Sequence, residues 1–256
     1  MFEPSKAAQI AKEMRRYHIE VLGICESRWN GSGLSKLSTG ESITYSDIVN
    51  QTTTTGILSY GVAIMMSPRA SKDLMQWEPI SSCIRIMTAR FNSKGRKVTI
   101  TQCYAPTNNA EQEKKEEFYR QLQSTLDKTS VGNIKILMGD MNAKLGADNT
   151  GKKLTMGREA LGEMNENGEL FAEFCAFNDL VIGGTVFKHK GIHKATWISP
   201  DGHTKNQIDF ISISRKWRRS LLDTRSRRGT DVGSDHSLSS ARNLPNQVKS
   251  LQRSWR

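Results

Sequence analysis

Apolar and polar positions along this chain repeat on two different periods. Over residues 5–17, Ala8, Ile10, Ala11 and Met14 fall on one face at helical spacing, with polar residues between them. Residues 110–128 carry the clearest helical pattern, in which Phe118, Leu122 and Leu126 recur every four positions among charges. A third helix is predicted over 166–178, with Leu170, Phe171, Phe174 and Phe177 turned inward. Strand-length apolar runs occupy 19–26, 61–66, 84–91, 97–104 and 133–139, with further strands near 180–187, 194–199 and 206–213. Asn92-Ser93-Lys94-Gly95 supplies a hairpin turn, and Pro200-Asp201-Gly202 another. Residues 30–56 read as a loop with an edge hairpin. Residues 143–163, with Gly146, Gly151, Gly157 and Gly162, read as an irregular surface loop.

Strands and helices are mixed rather than strictly alternating, which argues against a doubly wound parallel sheet. The prediction is an α/β (α+β) fold in which two mixed β-sheets pack as a sandwich flanked by helices, a four-layer α/β/β/α arrangement.

A length of 256 residues fits one large α/β domain as readily as two small ones. No apolar run approaches a membrane span, and Met1-Phe2-Glu3-Pro4-Ser5-Lys6 lacks the apolar stretch of a secretory signal. Thirty-seven Lys and Arg stand against 26 Asp and Glu, a formal charge of +11. That balance favours a polyanionic partner, because each neutralised phosphate releases counterions. A generic basic surface would give the same total, but the positive residues gather late, in Arg215-Lys216-Trp217-Arg218-Arg219 and then Arg225, Arg227 and Arg228. Cys25, Cys83, Cys103 and Cys175 lie far apart in apolar segments without C-x-x-C spacing. They read as buried free thiols in a reducing, intracellular compartment, nuclear or cytoplasmic.

The feature that needs a chemical explanation is the placing of acids at strand ends. Glu26 closes an apolar strand, Asp140 follows Ile134–Gly139, and Asn142 lies two residues on. Asp209 sits between Ile208 and Phe210, so strand alternation puts it on the face opposite those two apolar side chains. Asp235-His236 follows a Gly-Ser turn. Each alone could be an ordinary turn or surface carboxylate. Together they could converge on one hard cation such as Mg²⁺, which takes few carboxylates and keeps coordination for substrate phosphate. His189 and His193 have i,i+4 spacing, but Gly191 argues against a helix there and against zinc.

Five segments carry a resemblance: Cys25-Glu26-Ser27-Arg28-Trp29, Gln102-Cys103-Tyr104-Ala105-Pro106-Thr107, Gly139-Asp140-Met141-Asn142-Ala143, Asn206-Gln207-Ile208-Asp209-Phe210-Ile211 and Gly233-Ser234-Asp235-His236. In this order, over about residues 7–240, the chain resembles the endonuclease/exonuclease/phosphatase superfamily, and most of all the apurinic-type endonuclease domains of non-LTR retrotransposons. The resemblance implies Glu26 and Asp235 as metal residues for Mg²⁺, with Mn²⁺ as a substitute. It implies Asp140 as the group that orients or deprotonates the attacking water, and Asn142 and Tyr104 as phosphate contacts. Asp209 would hold one ring nitrogen of His236, leaving the other for a phosphate oxygen. The implied activity is nicking of double-stranded DNA by in-line water attack. In similar endonucleases the hairpin corresponding to Thr196–Asn206 helps choose the nicking site, which makes Lys194, His203 and Lys205 candidate DNA contacts; a solvated polar turn is the plainer reading.

Two departures accompany the match. Members of this superfamily begin with a strand ahead of the first helix, whereas this chain starts at that helix, so the expected fold is N-terminally truncated with the first strand missing. The segment after His236 is mostly polar, and the basic residues 243–256 are expected to be a disordered tail beyond a domain spanning 1–242. Two other functions fit the same residues: a catalytically impaired DNA- or chromatin-binding protein, and a phosphodiesterase or phosphatase for a different phosphate ester.

Overall fold

A computed structural model describes residues 4–27, 29, 31–46, 61–80, 85–93, 95–227, 236–243 and 250–253, with backbone alone at 4, 5, 243 and 250–253. Helix α1 (Pro4–Arg16) leads into β1 (Val21–Ser27). The hairpin β2 (Ser32–Lys36) and β3 (Ser42–Ser46) and the buried strand β4 (Gly61–Met66) follow. Short helix α2 (Pro68–Asp73), capped by the Ser67 hydroxyl, opens β5 (Leu74–Pro79); patterning did not reveal either element. Next come β6 (Ile86–Ser93), β7 (Arg96–Tyr104), α3 (Gln112–Asp127) and β8 (Ile134–Asp140). Helix α4 (Glu166–Phe177), β9 (Leu180–Ile182) and the small hairpin β10 (Trp197–Ile198) and β11 (Lys205–Asn206) precede β12 (Asp209–Ser214). A 3-10 turn over Arg215–Ser220 and strands β13 (Leu221–Arg227), β14 (Leu238–Asn243) and β15 (Ser250–Arg253) complete the chain.

These strands form two large mixed sheets. One has the order β13-β14-β15-β1-β4-β3-β2, the other β5-β6-β7-β8-β12-β9. Alternation along each strand explains their stacking. Val21 and Cys25 of β1 and Val62, Ile64 and Met66 of β4 meet Ile100 of β7, Met138 of β8 and Ile211 of β12 in the core between the sheets. The opposite parity, Leu22, Ile24, Ala63 and Met65, packs under Ala7, Ile10, Ala11 and Met14 of α1. On the other sheet, Cys103, Leu137 and Phe210 turn outward against Phe118, Leu122 and Leu126 of α3 and Phe171 and Phe174 of α4. Helix, sheet, sheet, helix is the four-layer order expected.

Several expectations change in detail. Phe177 is 81% exposed, because at about 100° per residue it stands roughly 120° round α4 from Phe171, off the face that Phe171, Ala172, Phe174 and Cys175 bury. The 143–163 stretch is irregular but not wholly superficial: Ala143, Leu145 and Met156 enter the core beside α4. Ser250–Arg253, expected in the disordered tail, instead pairs in parallel with β1, Val21 opposite Ser250 through Ile24 opposite Arg253. The β1 backbone groups on the side away from β4 take their ladder partners from this segment. The segment's polar composition gave no sign of this, because such pairing is made by backbone. Cys25, Cys103 and Cys175 are buried free thiols, whereas Cys83 lies outside the described residues. Among the described residues no helix is long and apolar enough to cross a membrane.

Candidate active site

The parity that packs the two sheets also builds the site. On β7 the inward row runs Val98, Ile100, Gln102, Tyr104; on β8 it runs Ile136, Met138, Asp140; on β12 it runs Asp209, Ile211, Ile213. Register then aligns the polar ends of these rows. Tyr104 lies opposite Asp140 in the parallel β7–β8 ladder, and Asp140 lies opposite Asp209 in the antiparallel β8–β12 ladder. Three neighbouring strands therefore carry Tyr104, Asp140 and Asp209 side by side at the mouth of the sandwich. Apolar residues below fix the row, and all three side chains are buried.

Glu26 comes from the facing sheet. The β1–β4 ladder slips between Cys25 and Ser27, and Glu26 takes φ +56° at this bulge. A left-handed conformation costs a non-glycine residue about 1–3 kcal/mol and collects at functional sites. Its effect here is to re-aim the carboxylate across the sandwich, where Glu26 Oε1 accepts a 2.9 Å hydrogen bond from Tyr104 Oη. Beneath it, Gln102 Nε2 reaches Cys25 Sγ at 3.1 Å. Gly23 makes room for this amide, since a Cβ there would sit 1.9 Å from Gln102 Oε1.

Asn142 is also left-handed, at φ +46°, a conformation Asn tolerates well. Its N–H donates to Asp140 Oδ1 at 2.9 Å and its Nδ2 to the Ala105 carbonyl at 2.9 Å, so the turn after β8 is locked to the turn after β7. His236 Nδ1 lies 3.0 Å from Asp209 Oδ2, with side chains 1% and 0% exposed. A carboxylate only accepts, so Nδ1 carries the proton and the tautomer is set.

Burial first, and the Asp209 charge second, push the Asp140 carboxyl up to about 7; His236 and the Asn142 N–H pull against them, and Glu26 adds to the rise. Burial, and then the Glu26 carboxylate, hold the Tyr104 phenol far above its usual range, so it remains a donor. Arg85, whose guanidinium lies 4.7 Å over the Tyr104 ring, acts in the opposite direction.

One Asp140, one Asp209 and one His236 ligand atom lie within 4.8 Å of one another. With the Glu26 carboxylate joined through Tyr104, the site gathers three carboxylates and one imidazole nitrogen with excess negative charge, a mixed oxygen and nitrogen donor set that fits a divalent cation. The structure thus brings together Glu26, Tyr104, Asp140, Asn142, Asp209 and His236. Asp235 lies outside the described residues. Lys194 is committed to an ion pair with Glu159 at 2.8 Å. His203 and Lys205 are exposed on the β10–β11 hairpin, which adjoins the site through a bridge between Trp197 and His236. His189 pairs with Asp223 at 2.7 Å.

Three supporting residues had no signature in the sequence. Thr196 Oγ1 accepts the N–H groups of Ile208 and Asp209 at 3.0 and 3.1 Å, and its carbonyl accepts from Ser237 N–H at 2.6 Å, so it binds the Asp209 and His236 segments together. Asn167 Nδ2, from the first turn of α4, donates to Pro106 and Asn142 carbonyls at 3.0 and 3.1 Å. Arg85 covers Tyr104. Each acts through a non-local contact, which periodicity does not encode.

The profile of the Endonuclease/Exonuclease/phosphatase family matches residues 2–236. The chain belongs to this family. Craniofacial development protein 2 of Bos taurus is 35% identical over 235 residues, 92% of this chain but 38% of that protein. The chain therefore spans under two fifths of the length of the curated relatives it matches. Among solved structures, the fold is shared with the endonuclease domain of TRAS1, a telomere-specific non-LTR retrotransposon (TM-score 0.60, 15% identity, 94% of this chain and 92% of that one). It is also shared with the 3'-5' exonuclease NExo of Neisseria meningitidis (TM-score 0.63, 16% identity, 93% and 94% covered).

Proposed function

We propose that residues 1–242 form a Mg²⁺-dependent endonuclease that nicks double-stranded DNA by in-line water attack, a domain of the kind carried by non-LTR retrotransposons. The observation that supports this most is the single row Tyr104–Asp140–Asp209, closed by His236 and faced by Glu26. Glu26 and Asp235 would hold the cation, which supplies charge stabilisation at the non-bridging phosphate oxygens; Mn²⁺ would substitute. Asp140, whose proton affinity is raised toward neutrality, positions the water and takes its proton. Asn142, held by Ala105 and Asp140, and the Tyr104 hydroxyl donate to phosphate oxygens. Asp209 keeps the His236 ring oriented to receive another. Water attacks phosphorus, the bond to the leaving oxygen breaks, and that oxygen departs opposite the nucleophile.

DNA as the substrate draws support from the +11 charge and from the polar hairpin with His203 and Lys205 beside the site. A substrate panel tests the choice. The purified chain, given Mg²⁺, should convert supercoiled plasmid to open circles and process soluble phosphodiesters and phosphomonoesters far more slowly. Preference for a small phosphoester over plasmid would overturn it.

A further inference from the structure

Strand β7 links two chemically different poles of the molecule. Its nine residues begin at Arg96 and end at Tyr104. At about 3.3 Å per residue, those ends stand roughly 26 Å apart. Tyr104 belongs to the candidate active site. Arg96 belongs to a cationic platform.

The platform is built from the β6–β7 turn and the 3-10 turn after β12. Trp217 of that turn is half-buried against the inter-sheet core, which fixes its ring. The Arg96 guanidinium lies 4.3 Å over the Trp217 centroid, and the Lys216 ammonium is 5.9 Å from the same centroid. Lys97, next to Arg96 on β7, and Arg219, three residues after Lys216 in the 3-10 turn, are exposed, and Arg218 of the same turn is half-buried. Arg215 is neutralised by Asp179. Among the described residues, none of Arg96, Lys97, Lys216, Arg218 and Arg219 is in an ion pair with a carboxylate. Like charges crowded on a rigid surface repel one another, and a polyanion that displaces their counterions relieves that repulsion.

We propose that this pole is a second nucleic-acid site, which grips the phosphate backbone of a segment other than the one at the active site. Nucleic acid fits better than an acidic protein because duplex DNA carries one negative charge per ~1.7 Å of axis with condensed counterions, a charge density that clustered cations neutralise with counterion release. The Trp217 face is already covered by Arg96, so it does not stack bases, and binding here is independent of sequence. A chain with two such poles bridges two segments, or holds a looped one while the other pole cuts.

The proposal rests on the preceding section only in calling this site the second; its test needs no cleavage. In EDTA, binding of a short labelled duplex to the full chain is measured across salt concentrations, alongside capture of labelled duplex by protein held on an immobilised duplex. Arg96→Glu/Lys216→Glu/Arg219→Glu should weaken binding at least roughly tenfold, flatten the salt slope by about two to three, and abolish capture. Plasmid hydrolysis per bound duplex should persist. Should the triple variant fail to fold by circular dichroism, Arg96→Gln/Lys216→Gln/Arg219→Gln gives the same reading with less perturbation. Unchanged affinity, slope and capture in a folded variant would overturn the proposal. Equal salt-dependent binding of polyglutamate would overturn it too, by showing a general polyanion sink.

Discussion

Asp140 and Asp209 face one another across the β8–β12 ladder, two buried carboxylates in directly paired positions of an antiparallel sheet. Like charges placed opposite each other destabilise a ladder, and burial compounds the cost. The fold tolerates the pair because His236 lies against Asp209 and the Asn142 N–H against Asp140. Such an arrangement gives up stability for a place where positive charge is wanted, and this is the physical root of the predictions below.

The Asp140 proton is held more tightly in the folded chain than in the unfolded one, because burial and Asp209, with a smaller contribution from Glu26, oppose ionisation more than His236 favours it. Between the ordinary carboxylate range near 4 and about 7 the folded state therefore binds more protons. Its stabilising effect is complete below that range and is lost as pH rises toward 7, by up to about 1.4 kcal/mol per pH unit. Denaturant titrations in EDTA across this window should show that slope, and Asp140→Asn should flatten it. A wild-type slope equal to that of Asp140→Asn would contradict the assignment.

Added Mg²⁺ should act with the opposite pH sense. A cation bound among ionised carboxylates stabilises the folded state in proportion to its occupancy. The Mg²⁺-induced rise in Tm should therefore be larger at pH 8 than at pH 5, and Glu26→Gln should reduce it. A rise independent of pH and of Glu26 would place the ion elsewhere.

Asp209 and His236 are joined by a hydrogen bond, and in the proposed mechanism they act together. Asp209→Asn and His236→Ala should each slow hydrolysis on the order of 10²–10³-fold, and the double variant should be little worse than either. Additive losses in steady-state rates would show that the two side chains act separately.

Gly139 sits in the β8 backbone beside Asp140, where a Cβ would meet the Cys103 carbonyl oxygen at 2.2 Å. Gly139→Ala should cost about 1–3 kcal/mol in chemical denaturation through overpacking against backbone. The same shift moves Tyr104 relative to Asp140, so hydrolysis should fall as well. A variant as stable as the parent would show that the two strands separate more easily than their register implies.

Much of this site was legible because strand alternation is a local signal. Alternation set Asp209 on the face opposite Ile208 and Phe210, and Asp140 stood out as an acid at the end of Ile134–Gly139; that both face inward is known only from the packing of the two sheets. What joins them is register, and register follows from pairing across the chain. The bulge that turns Glu26 inward, the double acceptance by Thr196 and the Arg85–Tyr104 contact each depend on partners about a dozen or more residues away. Strand β15 was hidden for a related reason, since its pairing with β1 uses backbone groups that every sequence possesses. Phe177 misled because an aromatic residue suggests burial, although at about 100° per residue it stands off the face of α4 that Phe171 and Phe174 define.

Glu26, Tyr104, Asp140, Asn142, Asp209 and His236 are proposed to form one hydrolytic centre. This is tested most directly by nicking of supercoiled plasmid in Mg²⁺ and in EDTA, with Asp140→Ala and His236→Ala purified in parallel. Open-circle product is expected from the unaltered chain in Mg²⁺ alone, with both variants inactive though folded. Nicking that survives EDTA or either substitution, or a folded unaltered chain that leaves the plasmid intact in Mg²⁺, would contradict it.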